Sequence, residues 1–247
     1  MMKNAIRNTF SLIFGLSIIV AMVLSSVQAV VFNHSFYTSL YAKLNLAQVE
    51  NISQEDLEES IFMMVDYVEG KRDDLNGEIT WRAKKQPTFN TKEIRHMKDV
   101  RDLWLKAKLV MQVAWGLVLL SVVILVVINR KQALFDLMLG FKNGLIAITI
   151  LLVFFGFWWF IDFTGFWTWF HTIVFPGNSD WLLNPATDFM IVICPEQMFS
   201  TMVFQIALRF ILSFGGLALI LYMLVKSQKN RQDIDETYCI FKKKADK

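Results

Sequence analysis

TFSLIFGLSIIVAMVLSSVQAVVF, residues Thr9 to Phe32, contains no charged side chain. A bilayer core of ~30 Å needs ~20 apolar residues of helix, each rising ~1.5 Å, so this run is long enough to span. Three further blocks qualify. Leu109 to Asn129 lies between Lys108 and Arg130, and Asn143 to Ile161 lies between Lys142 and Asp162. The last reaches from Phe199 to Val225, interrupted by Arg209. A chain of 247 residues that is 55% hydrophobic, with a mean hydropathy of +0.42, is thus expected to be an all-α membrane protein with four transmembrane helices.

The distribution of Lys and Arg orients those spans. Lys3 and Arg7 precede the first without an acidic neighbour, the connection from Arg130 to Lys142 is basic, and the tail after Val225 holds seven basic and four acidic residues. The positive-inside rule then places both termini and the middle connection in the cytoplasm. The segment from Asn33 to Lys108 is mixed, with twelve basic and thirteen acidic residues, and is too long for its charge to set orientation. The expected layout is a cytoplasmic stub and span 1 (1–32), an extracytoplasmic, mostly helical cap (33–106) and span 2 (107–129). A cytoplasmic loop (130–142), span 3 (143–161), an extracytoplasmic interfacial loop (162–198), span 4 (199–225) and a cytoplasmic tail (226–247) complete it. Residues 1–32 also carry the basic and apolar regions of a secretory signal, with a small-residue pattern at Val27 and Ala29. Because the apolar run continues through Phe32, a retained anchor is expected instead.

Within the cap, Ser53 with Asp56 three residues later is a capping-box pattern, Leu57, Ile61, Met64, Val65 and Val68 recur at helical spacing, and Gly70 supplies a stop. Pro87 breaks any helix in WRAKKQPTFN. Asn90 and Glu93 begin a second helix that runs on towards span 2. His96 and Asp99 stand at i and i+3 on it, so Asp99 can accept from His96 and fix its tautomer. The alternative for His96 is a solvated position among Arg95, Lys98 and Arg101.

From Phe154 to Phe170, eleven of seventeen residues are Phe or Trp, an aromatic belt of the kind that favours the membrane interface. Trp169 to Glu196 then carries His171 and three acidic residues but no Lys or Arg. A loop at that depth needs internal partners for its backbone; Asn178, Asp180, Asn184 and Asp188 are candidates. Arg209 falls roughly 5 Å inside span 4. It either snorkels to headgroups or meets a partner in that loop or in a lipid. Cys194 and Cys239 fall on opposite sides of the membrane, so no disulfide is expected. No nucleophile elbow, His-Glu-x-x-His zinc motif or phosphate-cradling glycine loop occurs. Neither metal nor cofactor is expected. The spacing of Gly140 and Gly144 is a weak packing signal.

RHMKDVRDLW and WFHTIVFPGNSDWLLNPATDFMIVICPEQMF resemble the bacterial lipoprotein intramolecular transacylases, small four-span membrane proteins of Firmicutes. The likeness lies in His96 within His-Met-Lys-Asp-Val, and in the order Phe170-His171, Phe175, Trp181, Asn184-Pro185, Asp188, Pro195. The resemblance implies transfer of the sn-2 acyl chain of an N-terminal diacylglyceryl-cysteine to that residue's own α-amine, leaving an N-acyl, S-monoacylglyceryl (lyso) lipoprotein. It implies that His96 and His171 are catalytic. It also implies a place in the bacterial cell membrane, with the lipoprotein N-terminus and membrane lipids as partners and neither nucleic acid nor an obligate protein partner. Supporting or substrate-positioning roles are expected for Asp99, Trp181, Asn184, Asp188 and Arg209. The missing cations of the loop would leave the substrate's ammonium unrepelled. A non-enzymatic four-span sensor or interaction protein remains the alternative.

Overall fold

The computed structural model describes residues 2–245, with side chains described except at Ala147 and from 235 onward. Helix α1 (Met2–Val31) is followed by α2 (His34–Leu44), α3 (Leu46–Glu50) and α4 (Gln54–Glu69). A hairpin, β1 (Glu78–Trp81) and β2 (Lys84–Pro87), leads into α5 (Thr91–Asn129). Then come α6 (Ala133–Ile161), α7 (Phe163–Val174), α8 (Phe189–Ile193) and α9 (Glu196–Ala245). Four of these helices, α1, α5, α6 and α9, are long and apolar enough to cross a membrane. The middle connection is a turn at Arg130–Gln132, because α6 starts ten residues before the apolar run, and α9 continues through the expected tail.

Two compact units make up the chain. The first comprises residues 1–22, 112–151 and 209–247. In it, α1 and α6 are locked at short range. Arg7 donates two hydrogen bonds of 2.8 Å to the Asp136 carboxylate, and Ser11 Oγ donates to the Asp136 carbonyl at 2.6 Å. Gly15, Gly140 and Gly144 bring the two backbones together, and Phe141 stacks on Phe214.

The second unit comprises residues 23–111 and 152–208. Its helix ends follow local chemistry. Ser53 accepts from the Asp56 N–H at 3.0 Å to start α4, and Gly70, at φ 88, closes it. Asn90 and Glu93 form a reciprocal capping box at the start of α5: the Asn90 side chain accepts from the Glu93 N–H at 3.1 Å, and Glu93 accepts from the Asn90 N–H at 2.6 Å. Tyr37, Tyr41, Leu57, Ile61, Phe89, Phe189 and Ile193 form the heart of one apolar core.

Two stretches to which the sequence assigns no regular element are ordered. WRAKKQP makes the turn and second strand of the hairpin, in which Ile79 pairs with Gln86 and Trp81 with Lys84. Its two turn residues, Arg82 and Ala83, have φ of 54 and 60, the left-handed pair that a two-residue hairpin turn requires. The Arg82 guanidinium lies 4.3 Å over the Trp81 ring and donates to the carbonyls of Pro185 and Ala186, which helps hold that backbone. The start of the expected interfacial loop is α7, whose N-cap Asp162 accepts from the Gly165 N–H at 2.8 Å.

Candidate active site

Helix α5 carries His96 and α7 carries His171, and the fold sets their ring centroids 6.0 Å apart. Both side chains are buried. Phe175 lies against the two of them, 5.4 Å from His96 and 5.8 Å from His171. The rings of Trp167, Trp181 and Phe170 stand 4.9, 5.1 and 5.5 Å from His171. The result is a pair of imidazoles in an aromatic enclosure.

Their chemistry differs. His171 Nδ1 is 2.8 Å from the Trp167 carbonyl. A carbonyl only accepts, so Nδ1 carries the proton and Nε2 of the neutral ring keeps its lone pair. Burial lowers the His171 pKa, and the bond to Trp167 opposes that shift. His96 is pushed down to about 4, first by burial and then by the charge of His171, with Asp180 raising and Lys92 lowering it. Its Nδ1 is buried and has no hydrogen-bond partner among the described residues. Both rings are therefore neutral near pH 7.

The segment after α7 is held from outside by cations. Arg95 forks onto Asp180 at 2.9 and 3.0 Å. Lys92 donates to the Leu182 carbonyl and lies 3.4 Å from Asp188. Asp188 also accepts from Asn90 at 3.0 Å, the Asn184 N–H at 2.8 Å and Thr187 at 3.1 Å. Burial alone would raise its pKa, but these bonds together outweigh burial and hold it below the usual carboxylate range. Glu93 is buried and accepts from the Met190 N–H at 2.6 Å as well as from Asn90. Burial raises its pKa; the two N–H donors oppose the shift.

The sequence model of the family described as "Lipoprotein intramolecular transacylase Lit" matches residues 12–199, which include both histidines. The chain belongs to the Lit family. No curated protein sequence matches it. Among solved structures, it is similar to the membrane integral lipoprotein intramolecular transacylase Lit from Bacillus cereus. The TM-score is 0.72 and the identity 18%, over 94% of this chain and 99% of that one. It is likewise similar to a form of the Bacillus protein with one histidine changed to arginine (TM-score 0.69, 17% identity, 95% of this chain and 96% of that one). A third structure has a histidine changed to alanine (TM-score 0.69, 18% identity, 94% and 98%). At such identities the structural likeness establishes the shared fold: a multi-pass, helical membrane protein.

In this Lit family member the expected site residues divide. His96, His171 and Trp181 come together. Asp99 does not orient His96; its carboxylate accepts from Asn178 Nδ2. Asn184 and Asp188 hold the loop, and it is Trp167 that fixes the His171 ring. Arg209 is exposed on α9. The loop has no Lys or Arg of its own, but Arg82, Lys92 and Arg95 reach it from the hairpin and α5. Cys194 is buried, and burial followed by the charge of Glu93 pushes its thiol up. The side chain of Cys239 lies outside the described residues.

Glu93 was not among the sequence candidates, although its spacing from Asn90 is that of a capping box. It joins the starts of α5 and α8 by receiving an N–H from each. Glu93→Ala leaves the buried Met190 N–H unsatisfied, at about 1–3 kcal/mol, and removes the partner of the half-buried Asn90 N–H as well. A clear drop in thermal midpoint in detergent is expected, read against wild type by intrinsic fluorescence.

Proposed function

We propose that this protein moves the sn-2 acyl chain of a lipoprotein's N-terminal diacylglyceryl-cysteine onto the cysteine's own α-amine. His171 acts as the base, and His96 as a neutral hydrogen-bond donor. The observation that carries the reading is the pairing of the two buried imidazoles, one with its tautomer fixed by Trp167, in a member of a lipoprotein transacylase family. The free amine attacks the ester carbonyl, and the amine proton passes to His171 Nε2. His96 N–H faces the oxyanion. When the tetrahedral intermediate collapses, the C–O bond to glycerol breaks and the alkoxide takes the proton back from His171, so both rings end as they began. Amine and ester belong to one substrate molecule, and holding them together supplies much of the rate without an enzyme nucleophile.

In this reading the positive-inside pattern keeps the termini cytoplasmic, and the cap with its two histidines meets the lipoprotein at the outer face. The test is expression in bacteria whose lipoproteins retain a free N-terminus, followed by tandem mass spectrometry of N-terminal lipopeptides. Appearance of the N-acyl, S-monoacylglyceryl form is expected. Its absence, with the protein folded and inserted, would favour the sensor reading.

The pH profile follows from the same groups. Burial lowers the His171 pKa below the ordinary histidine value, so the ring is mostly unprotonated from pH ~6.5 upward. The substrate α-amine, with a pKa of about 8, is mostly ammonium at pH 7. Initial-rate kcat/KM on a synthetic lipopeptide should therefore rise from pH ~6.5, pass half its maximum near pH ~8 and level off near pH ~9. A profile already flat above pH ~6.5 would assign the essential titration to an enzyme histidine instead.

A further inference from the structure

Polar links run from the helix carrying His96 to the turn after His171. Arg95, immediately before His96, grips both Asp180 oxygens, at 2.9 and 3.0 Å. Asp99, almost one turn later, accepts from Asn178. Asn178 in turn organises the segment between. Its side-chain oxygen accepts from the Asp180 N–H at 2.7 Å, and its carbonyl accepts from the Trp181 indole at 2.9 Å. The Trp181 ring then lies 5.1 Å from that of His171, tilted by 33°. One continuous path therefore leads from His96 through Arg95, Asp180 and Trp181 to His171.

We propose that the Arg95–Asp180 pair is a positioning device, which sets the separation of the two imidazoles by holding Trp181 against His171. The proposal rests on the acid–base reading above. An Arg–carboxylate fork is planar and directional, so it fixes orientation as well as distance. Folding does not depend on it heavily. Arg95 keeps 58% of its side-chain surface exposed, and exposed ion pairs add little stability. The loop has separate anchors at Asp188, Lys92 and Arg82. What the fork adds beyond those anchors is the placement of the two residues next to it, His96 and Trp181. Acyl transfer is sensitive to such placement, since a shift of ~1 Å in a reacting group can cost ~10²-fold in rate.

Steady-state rates on a synthetic diacylglyceryl-cysteine lipopeptide in mixed micelles test the idea. Arg95→Ala and Asp180→Asn should each lower kcat by ~10- to 100-fold, with KM and the thermal midpoint close to wild type. Arg95→Lys, which keeps charge but loses the fork, should fall between. The reciprocal double variant, Arg95→Asp with Asp180→Arg, should recover most of the lost rate, which a merely structural role for either residue would not produce. Wild-type kcat in Arg95→Ala, or a double variant no better than the poorer single, overturns the proposal. His171→Ala run beside these separates the two claims. An inactive His171→Ala with a fully active Arg95→Ala removes the clamp alone, whereas a fully active His171→Ala removes the acid–base reading beneath it.

Discussion

His171→Ala should lower turnover by ~10²–10⁴-fold, the usual range for a general acid or base. His96→Ala should fall in the same range. The two rings are 6.0 Å apart, and on the proposed chemistry they serve one tetrahedral intermediate from two sides. Groups that act as a unit are strongly non-additive. The double variant should thus be no slower than the poorer single by more than about threefold. Multiplication of the two losses would mean independent roles and would overturn the shared-intermediate account. A third histidine provides the control. His34 pairs with Asp66 at 2.9 Å and stacks on Phe62 at 4.2 Å, so it is already committed to α4. His34→Ala should keep activity within about twofold, as expected of a group outside the acid–base chemistry. Product ratios by mass spectrometry at matched protein levels would check all four variants.

The parts of this fold written in local spacing were readable. A charge-free run long enough to span needs no tertiary information, and the four long helices stand where such runs lie. Ser53 with Asp56, and Gly70, announce both ends of α4. The hairpin was missed because its turn is Arg82-Ala83, which lacks the Asn or Gly that usually marks left-handed residues. Its stabilising contacts, from Arg82 to Pro185 and Ala186, lie far along the chain. Helix α7 was hidden because an aromatic-rich stretch with Gly165 reads equally well as an interfacial loop.

The candidate site shows the same division. His96 and His171 were found through motifs, but their juxtaposition depends on how α5 meets α7, which no local pattern encodes. Asp99 stood at the spacing for a helical pair with His96, yet Asn178 offered a donor from another element, and the tertiary bond prevailed. Trp167, four residues before His171, is itself at helical spacing, but recognising its carbonyl as the ring's partner required knowing that this stretch is a helix. The cation-free loop was a true observation, but the cations that contact it come from elsewhere in the chain. Two of the loop's three acids, Asp188 and Asp180, lie beside Lys92 and Arg95, which local sequence does not reveal.

Gly140→Leu should prevent the first unit from assembling. A Cβ at Gly140 would stand 2.0 Å from the Ser11 carbonyl oxygen, and one at Gly15 would stand 2.1 Å from that of Gly140. Both obstacles are backbone atoms of the facing helix, which cannot rotate aside as a side chain can. Even Ala at either position must drive α1 and α6 apart. Separation would also strain the bonds from Arg7 and Ser11 to Asp136. Overpacking of a close interface costs about 1–3 kcal/mol where neighbours can yield, and small residues are what allow membrane helices to approach at all. Gly144 is less tight, with 2.7 Å to the Gly15 carbonyl and 2.9 Å to the movable Ile19 side chain. Gly144→Ala should therefore be milder than Gly140→Ala. Gly116 and Gly215 meet nothing within 4 Å, so Ala at either should leave the thermal midpoint unchanged or raise it slightly. Thermal unfolding and the monodisperse fraction in detergent would read the series. If Gly140→Ala proved as stable as Gly116→Ala, the close approach of α1 to α6 would not be what holds them together.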